Sequence, residues 1–201
     1  MNALPEAIQQ ILEDCRSSIT ERGELPAKNR ENLYKKLDKF LPNNPKYVAH
    51  YWRAKLELNC ALKVLHKWES CELADSSARQ LLSDAERYLV GELESEVLRS
   101  RKSLLYSQTE NLMDNGLEYF VAAYAGFACV SAVNAALYDL KFKTLGLPEI
   151  ETEPDFWTAC FLASLAYCGG ATWEEGVGDD LKRREFWEWF LNEAVPALWK
   201  I

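Results

Sequence analysis

Apolar residues recur along most of this chain at helical rather than strand spacing. Ala7, Ile8, Ile11 and Leu12 mark a first stretch that opens at Pro5 and is closed by Gly23 and Pro26. A second, residues 29–41, puts Leu33, Tyr34, Leu37, Phe40 and Leu41 on one face, and the Pro-Asn-Asn-Pro run at 42–45 breaks it. The third is the most regular: Tyr51, Ala54, Leu58, Ala61, Leu65 and Trp68 follow at intervals of 3, 4, 3, 4 and 3, a helix seam of ~3.5-residue period. Val48, Trp52, Leu56 and Val64 widen that seam, so neighbours are expected on two sides. Asp75 or Ser76 is placed to cap a fourth helix over 78–93. Residues 94–111 read as a polar helix that largely faces solvent.

The segment from Tyr119 to Tyr138, YFVAAYAGFACVSAVNAALY, is the most apolar. Its length suits a membrane span of ~20 residues. Its many alanines, with Gly126, Ser131 and Asn134, make it only moderately hydrophobic, and it lacks a polybasic flank. A central helix whose small residues admit close neighbours fits it better. A linker with Gly146, Pro148 and Pro154 follows, then a helix over 156–167, Gly169-Gly170, an acidic loop, and a last helix from Asp179 to Trp199. The pattern predicts an all-α fold: a single domain over residues 1–201, a bundle of about seven or eight helices around an apolar central one.

Composition agrees. The chain of 201 residues is 48% hydrophobic and 27% charged, which suits one domain with a full core and excludes a disordered chain. Nine glycines and seven prolines are too few for the turns of an all-β sandwich. The N-terminal MNALPEAIQQILEDC has neither a basic region nor a long apolar one, so no secretory signal is expected and a cytoplasmic location is. Cys15, Cys60, Cys71, Cys129, Cys160 and Cys168 form no Cys-x-x-Cys pair, and several sit in apolar helical stretches. They are expected to be reduced and structural.

Charge changes the picture more. Between Thr144 and Leu181 there is no Lys or Arg, but there are eight acids: Glu149, Glu151, Glu153, Asp155, Glu174, Glu175, Asp179 and Asp180. The whole chain has 31 acids and 23 bases, so the net charge of −8 is the charge of this window. A nucleic-acid binder would show the opposite sign, whereas an acidic patch suits a basic partner. A solvated loop is the plainer reading of any single acid in the set.

Catalytic patterns are missing. His50 and His66 lie sixteen residues apart on one predicted helix, roughly 24 Å, and cannot share a metal or a proton. His66, beside Trp68, reads as a partly buried structural residue. There is no Glu-x-x-His, His-Glu-x-x-His, P-loop or Gly-x-Ser-x-Gly. Gly169-Gly170 follows no strand and is not a dinucleotide fingerprint. Glu174-Glu175 and Asp179-Asp180 offer oxygen ligands for a divalent cation but lack the spacing of a calcium loop. No metal and no cofactor is expected.

The stretch GGATWEEGVGDDLKRREFWEWFLNEAVPALW, residues 169–199, is the most distinctive. Gly169-Gly170, Trp173-Glu174, Arg184-Glu185-Phe186-Trp187, Trp189, Leu191, Glu193-Ala194 and Pro196, in that order, resemble the C-terminal signature of a helical family of bacterial immunity proteins. This is the fifth-numbered immunity family of polymorphic toxin systems. Arg53, Leu56, Cys60-Ala61, Val64-Leu65 and Trp68-Glu69 in the third helix match as well. The resemblance implies a protein encoded beside a toxin, often a nuclease, that protects the producing cell by binding it. It implies no particular site, and the shared Trp, Arg and Gly positions read equally as fold determinants.

Read without the family, Trp187, Phe190, Leu191, Ala194, Val195 and Leu198 form a core stripe on the last helix. Trp189 lies roughly opposite, either covered by other elements or exposed as an interface anchor. Arg184 is spaced to pair with Glu188 at i,i+4, or to organise carbonyls and carboxylates if buried. The expected function is neutralisation of a basic cognate toxin, with Glu174, Glu175, Asp179, Asp180 and Trp189 as partner-binding candidates. Neither nucleic acid nor a membrane is expected as a partner. The rival is an enzyme or small-molecule binder with a pocket built from Trp52, Trp68, Trp173 and Trp187, or a helical adaptor.

Overall fold

The computed structural model describes residues 4–41, 50–139, 142, 147–174 and 176–200. Glu175, the breaker at 42–45, Val48, Thr144 and Gly146 lie outside the described residues. Among the described residues the regular structure is helical and contains no strand. The order is α1 (Glu6–Ser17), α2 (Ala27–Phe40), α3 (Tyr51–Glu69), α4 (Ser77–Leu89), α5 (Ser95–Asp114), α6 (Phe120–Leu137), α7 (Ala159–Cys168) and α8 (Asp180–Trp189). From α8 the chain runs on without a break through a π turn, Phe190–Ala194, an α-helical turn, Val195–Ala197, and a 3-10 turn, Leu198–Lys200.

Helix α6 is the axis of the bundle. It packs against α3, α4, α5 and α7, and Ala123, Ala125, Ala128, Cys129, Ala132, Val133 and Ala136 are fully enclosed. Its length and composition would pass for a membrane span, but two thirds of it is buried inside the protein. Small side chains are what allow four neighbours. Gly126 shows the limit: a Cβ there would lie 2.5 Å from Thr109 Oγ1 on α5 and 2.6 Å from Trp68 Cζ3 on α3. Helix α3 packs against both α6 and α7, which also pack on each other, so it is buried on two sides through Trp52, Ala54, Leu56, Leu58, Cys60, Ala61, Val64, Leu65 and Trp68.

Several boundaries move from where the sequence places them, each for a local reason. Helix α1 ends at Ser17, well before Gly23, and Pro26 directly precedes α2. Helix α4 stops at Leu89, with Gly91 at φ +79° just beyond. Helix α5 does not simply face solvent: Leu98, Leu105, Thr109 and Leu112 are buried on α6 and α4. Helix α7 begins at Ala159 rather than Phe156, because Trp157 is extended and the Thr158 hydroxyl accepts from the Phe161 N–H as an N-cap. Near the C-terminus, Pro196 cannot donate to the ladder. One residue earlier the Val195 N–H donates to Phe190 O, five positions back, and the helix widens into the π turn.

Candidate functional site

The first part of the C-terminal signature, Gly169-Gly170 and Trp173-Glu174, lies in a tight turn between α7 and α8. Gly169, at φ +92°, ends α7, and the Gly169 and Gly170 N–H groups both donate to Leu165 O, at 2.8 and 3.0 Å. The turn closes where the Asp179 N–H donates to Cys168 O at 2.8 Å. Asp179 then caps α8, its Oδ1 accepting from the Leu181 and Lys182 N–H groups at 2.9 and 3.1 Å. Inside the turn, Glu174 Oε2 accepts from the Ala171 N–H at 2.6 Å. Glu174 Oε1 accepts from Tyr124 of α6 at 2.8 Å.

Arg183 locks this turn to the N-terminal loop. It is fully buried. Its Nη2 donates to Gly170 O at 2.9 Å, and its Nη1 donates to Arg22 O at 2.9 Å and to Asp180 Oδ1 at 2.6 Å. Its Nε lies 3.7 Å from Glu24. Arg184 Nη2 donates to Thr20 O at 2.7 Å, and Arg22 donates to Thr172 O and pairs with Asp180. Gly23 nests against α8: a Cβ would clash with Asp180 O and lie 2.8 Å from the Arg184 nitrogen. At φ +77° only glycine fits without strain.

A second buried polar group joins α2, α3 and α7. Arg30, also fully buried, pairs with Glu149 and donates to Leu25 O at 3.2 Å and Thr158 Oγ1 at 3.3 Å. Its guanidinium lies 5.2 Å from the ring centres of Phe142, Phe161 and Trp187. Beside it Glu57 accepts from the Tyr34 hydroxyl and, at 2.9 Å, from the Cys160 N–H. Burial raises the Glu57 carboxyl above its usual range against those hydrogen bonds. Burial also raises Glu24 to about 7, with Arg30, Arg183 and Trp187 pulling the other way. Arg30 and Arg183 stay buried because each faces a carboxylate and carbonyl oxygens, and Glu57 because a hydroxyl and an N–H donate to it.

The residues singled out from sequence do not form one cluster. Glu174, Asp179 and Asp180 share the α7–α8 turn and are held in the bonds just described. Trp189 is half-buried against Phe186, 5.5 Å between ring centres, with the Lys63 ammonium 4.7 Å from its own. Phe186 and Trp187 are fully enclosed, and Glu185 accepts from Tyr167 at 2.7 Å. Far along α3, Trp68 donates to Asp75 O at 2.9 Å, and Glu69 takes the Arg79 fork at 2.6 and 2.7 Å. His66 is exposed rather than partly buried, while His50 is buried with Nε2 2.9 Å from Ala136 O.

Nor do the four tryptophans share a pocket. Trp52 lies beside Tyr34 and Arg53, Trp173 stacks on Phe161, Trp187 packs on Phe190, and Trp68 contacts α6. A cleft lined by Trp68, Leu73, Asp75, Gln108, Asn111, Leu112 and Asn115 holds about 190 Å³. A notch beside Arg30 and Phe156 holds about 10 Å³. Both are smaller than the ~300–1,000 Å³ of ligand pockets. Among the described residues, no group of three or more His, Cys, Asp or Glu is placed to hold a metal ion.

What these residues make is an all-α bundle whose ionic groups pin loops to helices. The family model for Immunity protein Imm5 matches residues 11–197, which takes in the third-helix motif, the N-terminal loop and the whole C-terminal turn. The chain belongs to the Imm5 family of immunity proteins. It is thus an immunity protein, and its cognate partner is a toxin. None of the curated proteins matches it.

Proposed function

We propose that the protein binds its cognate toxin in the cytoplasm of the bacterium that makes both and neutralises it by occlusion, without turnover of its own. The toxin is a nuclease with a basic substrate-binding face. The match to the immunity family over residues 11–197 supports the toxin-binding part of this reading.

Charge supports the finer part. A nuclease must hold a polyanion and is cationic where it does so. A protein of net charge −8, with that excess confined to one window, is attracted to such a face over a Debye length of ~8–10 Å. Asp179 is exposed, and Glu174 and Asp180 partly so. Glu174 and Asp179 are fixed by hydrogen bonds from neutral groups, so they supply a rigid negative field at little entropic cost on binding, whereas Asp180 is balanced by Arg22 and Arg183.

The test is co-expression. The product of the adjoining gene should arrest growth when expressed alone and not when this protein is present. The purified pair should form a stoichiometric complex in which nuclease activity is lost. Growth arrest that persists despite abundant soluble protein, with no complex formed, would overturn the proposal.

A further inference from the structure

The described part of the acidic window is apolar as well as acidic. Phe156 is 67% exposed, Ile150 58%, Val177 44% and Trp173 37%. Isolated exposed hydrophobics are ordinary, but these four come from two segments that the fold brings together. The Trp157 indole N–H donates to Glu149 O at 3.3 Å, and its ring centre is 5.9 Å from that of Trp173. Val177 sits over Gly170 beside the Glu174 carboxylate; a Cβ on Gly170 would be 2.9 Å from Val177 Cγ2. The described residues of 149–157 and 170–177 are therefore held together as one face.

That face is anchored from beneath. Glu149 is tied to buried Arg30, and Trp173 stacks on Phe161 of α7, 6.0 Å between centres. Glu151, Glu153 and Asp179, close to these apolar residues in the chain, are exposed as well. Of the bases described there, Arg30 is buried beneath the face and Arg22 at its edge is paired with Asp180. An apolar centre in an acidic rim is the arrangement of a protein-binding surface.

Resting on the toxin-neutralising reading above, we infer that this face is the toxin-docking surface: Phe156 and Trp173 enter an apolar recess on the toxin, and the carboxylates of Glu151 and Glu153 meet the lysines and arginines around it. Of the sequence motif, only Trp173 belongs to the contact surface on this view. The motif's buried members, Phe186 and Trp187, and the neighbouring Arg183 hold the face in place.

The experiment measures binding kinetics between the full-length protein and the purified product of the adjoining gene, with circular dichroism on each variant. Glu151→Lys/Glu153→Lys should slow association by ~10-fold or more at low salt and flatten its salt dependence. Phe156→Ser should weaken affinity by ~10-fold or more through faster dissociation. Glu92→Lys/Glu110→Lys carries the same charge change on α5 and the turn before it, outside this face, and should leave association within ~2-fold. Wild-type binding with both face variants unchanged would overturn the docking surface and leave the toxin-neutralising role standing. Wild-type protein that does not bind the product at all would overturn both.

Discussion

Arg183 Nη2 donates to the Gly170 carbonyl at 2.9 Å from a fully buried side chain, while Arg184, the next residue, reaches Thr20 O from a partly exposed position. Among the described residues, Arg183 makes three hydrogen bonds and faces Glu24 where Arg184 makes one, and burial widens the difference. Arg183→Leu strips partners from three carbonyl or carboxylate groups and leaves Glu24 facing a cavity without its nearest cation. It should cost ~3–5 kcal/mol. Arg184→Ala removes a bond that water replaces and should cost less than ~1 kcal/mol. Urea denaturation of the two variants checks the contrast, and equal costs would contradict it.

Gly126 makes a second contrast between propensity and packing. In an exposed helix, Gly→Ala gains ~1 kcal/mol. Here the new methyl group meets Trp68 and Thr109 within 2.6 Å. Trp68 is nearly fully buried and its indole N–H is bonded to Asp75 O, so the ring has nowhere to turn. Overpacking costs ~1–3 kcal/mol, and packing should win. Gly126→Ala should lower the melting temperature by several degrees.

The helices were legible in the sequence because apolar period reports burial directly, and α3 and α6 fall where the pattern puts them. The buried ions were not, because Arg and Glu default to solvent. A signal was nonetheless there. Arg183 precedes Trp187 by four positions and Phe190 by seven, which places it on the core stripe of α8. Arg30 stands in the same relation to Leu33, Tyr34 and Leu37 on α2. A charged residue in register with a core stripe marks a candidate buried ion, but Arg184 precedes Trp187 by three positions and Leu191 by seven, so spacing alone does not choose Arg183 over its neighbour. The meeting of Gly23 with α8 had no local signal, since it depends on two segments ~160 positions apart. The same holds for the Trp157–Trp173 contact that joins the two acidic segments.

The thiols should respond as a graded set. All six cysteines are free; Cys71 is partly exposed and the other five are buried. Burial raises the Cys15 and Cys129 thiols to about 12 and Cys160 to about 11, so their thiolate fraction near pH 8 is negligible. A disulfide-exchange reagent should titrate one thiol quickly in the native protein and six in denaturant. Two or more fast thiols would show that the bundle opens locally around a buried cysteine.

Glu24 gives stability a pH dependence of predictable sign. Its Oε1 is buried without a hydrogen-bond partner among the described residues, and the Arg183 Nε is 3.7 Å from Oε2. The folded carboxyl therefore titrates at about 7, against ~4.3 for Glu in an unfolded chain. Between those values the folded state holds a proton that the unfolded state has lost, so stability falls as pH rises. The Glu24 contribution is complete below ~4.3 and gone above about 7, a difference on the order of 3 kcal/mol. Glu57 is raised too and acts in the same direction, so the wild-type slope alone does not isolate Glu24. Glu24→Gln keeps the size and polarity of the side chain but cannot ionise. The unfolding free energy of this variant minus that of wild type should therefore climb steadily between pH 5 and 7.5 and then level off, whatever Glu57 does. A flat difference across that range would mean that Arg183 and Arg30 hold Glu24 ionised throughout, and that the loop is clamped by a full ion pair rather than by a shared proton.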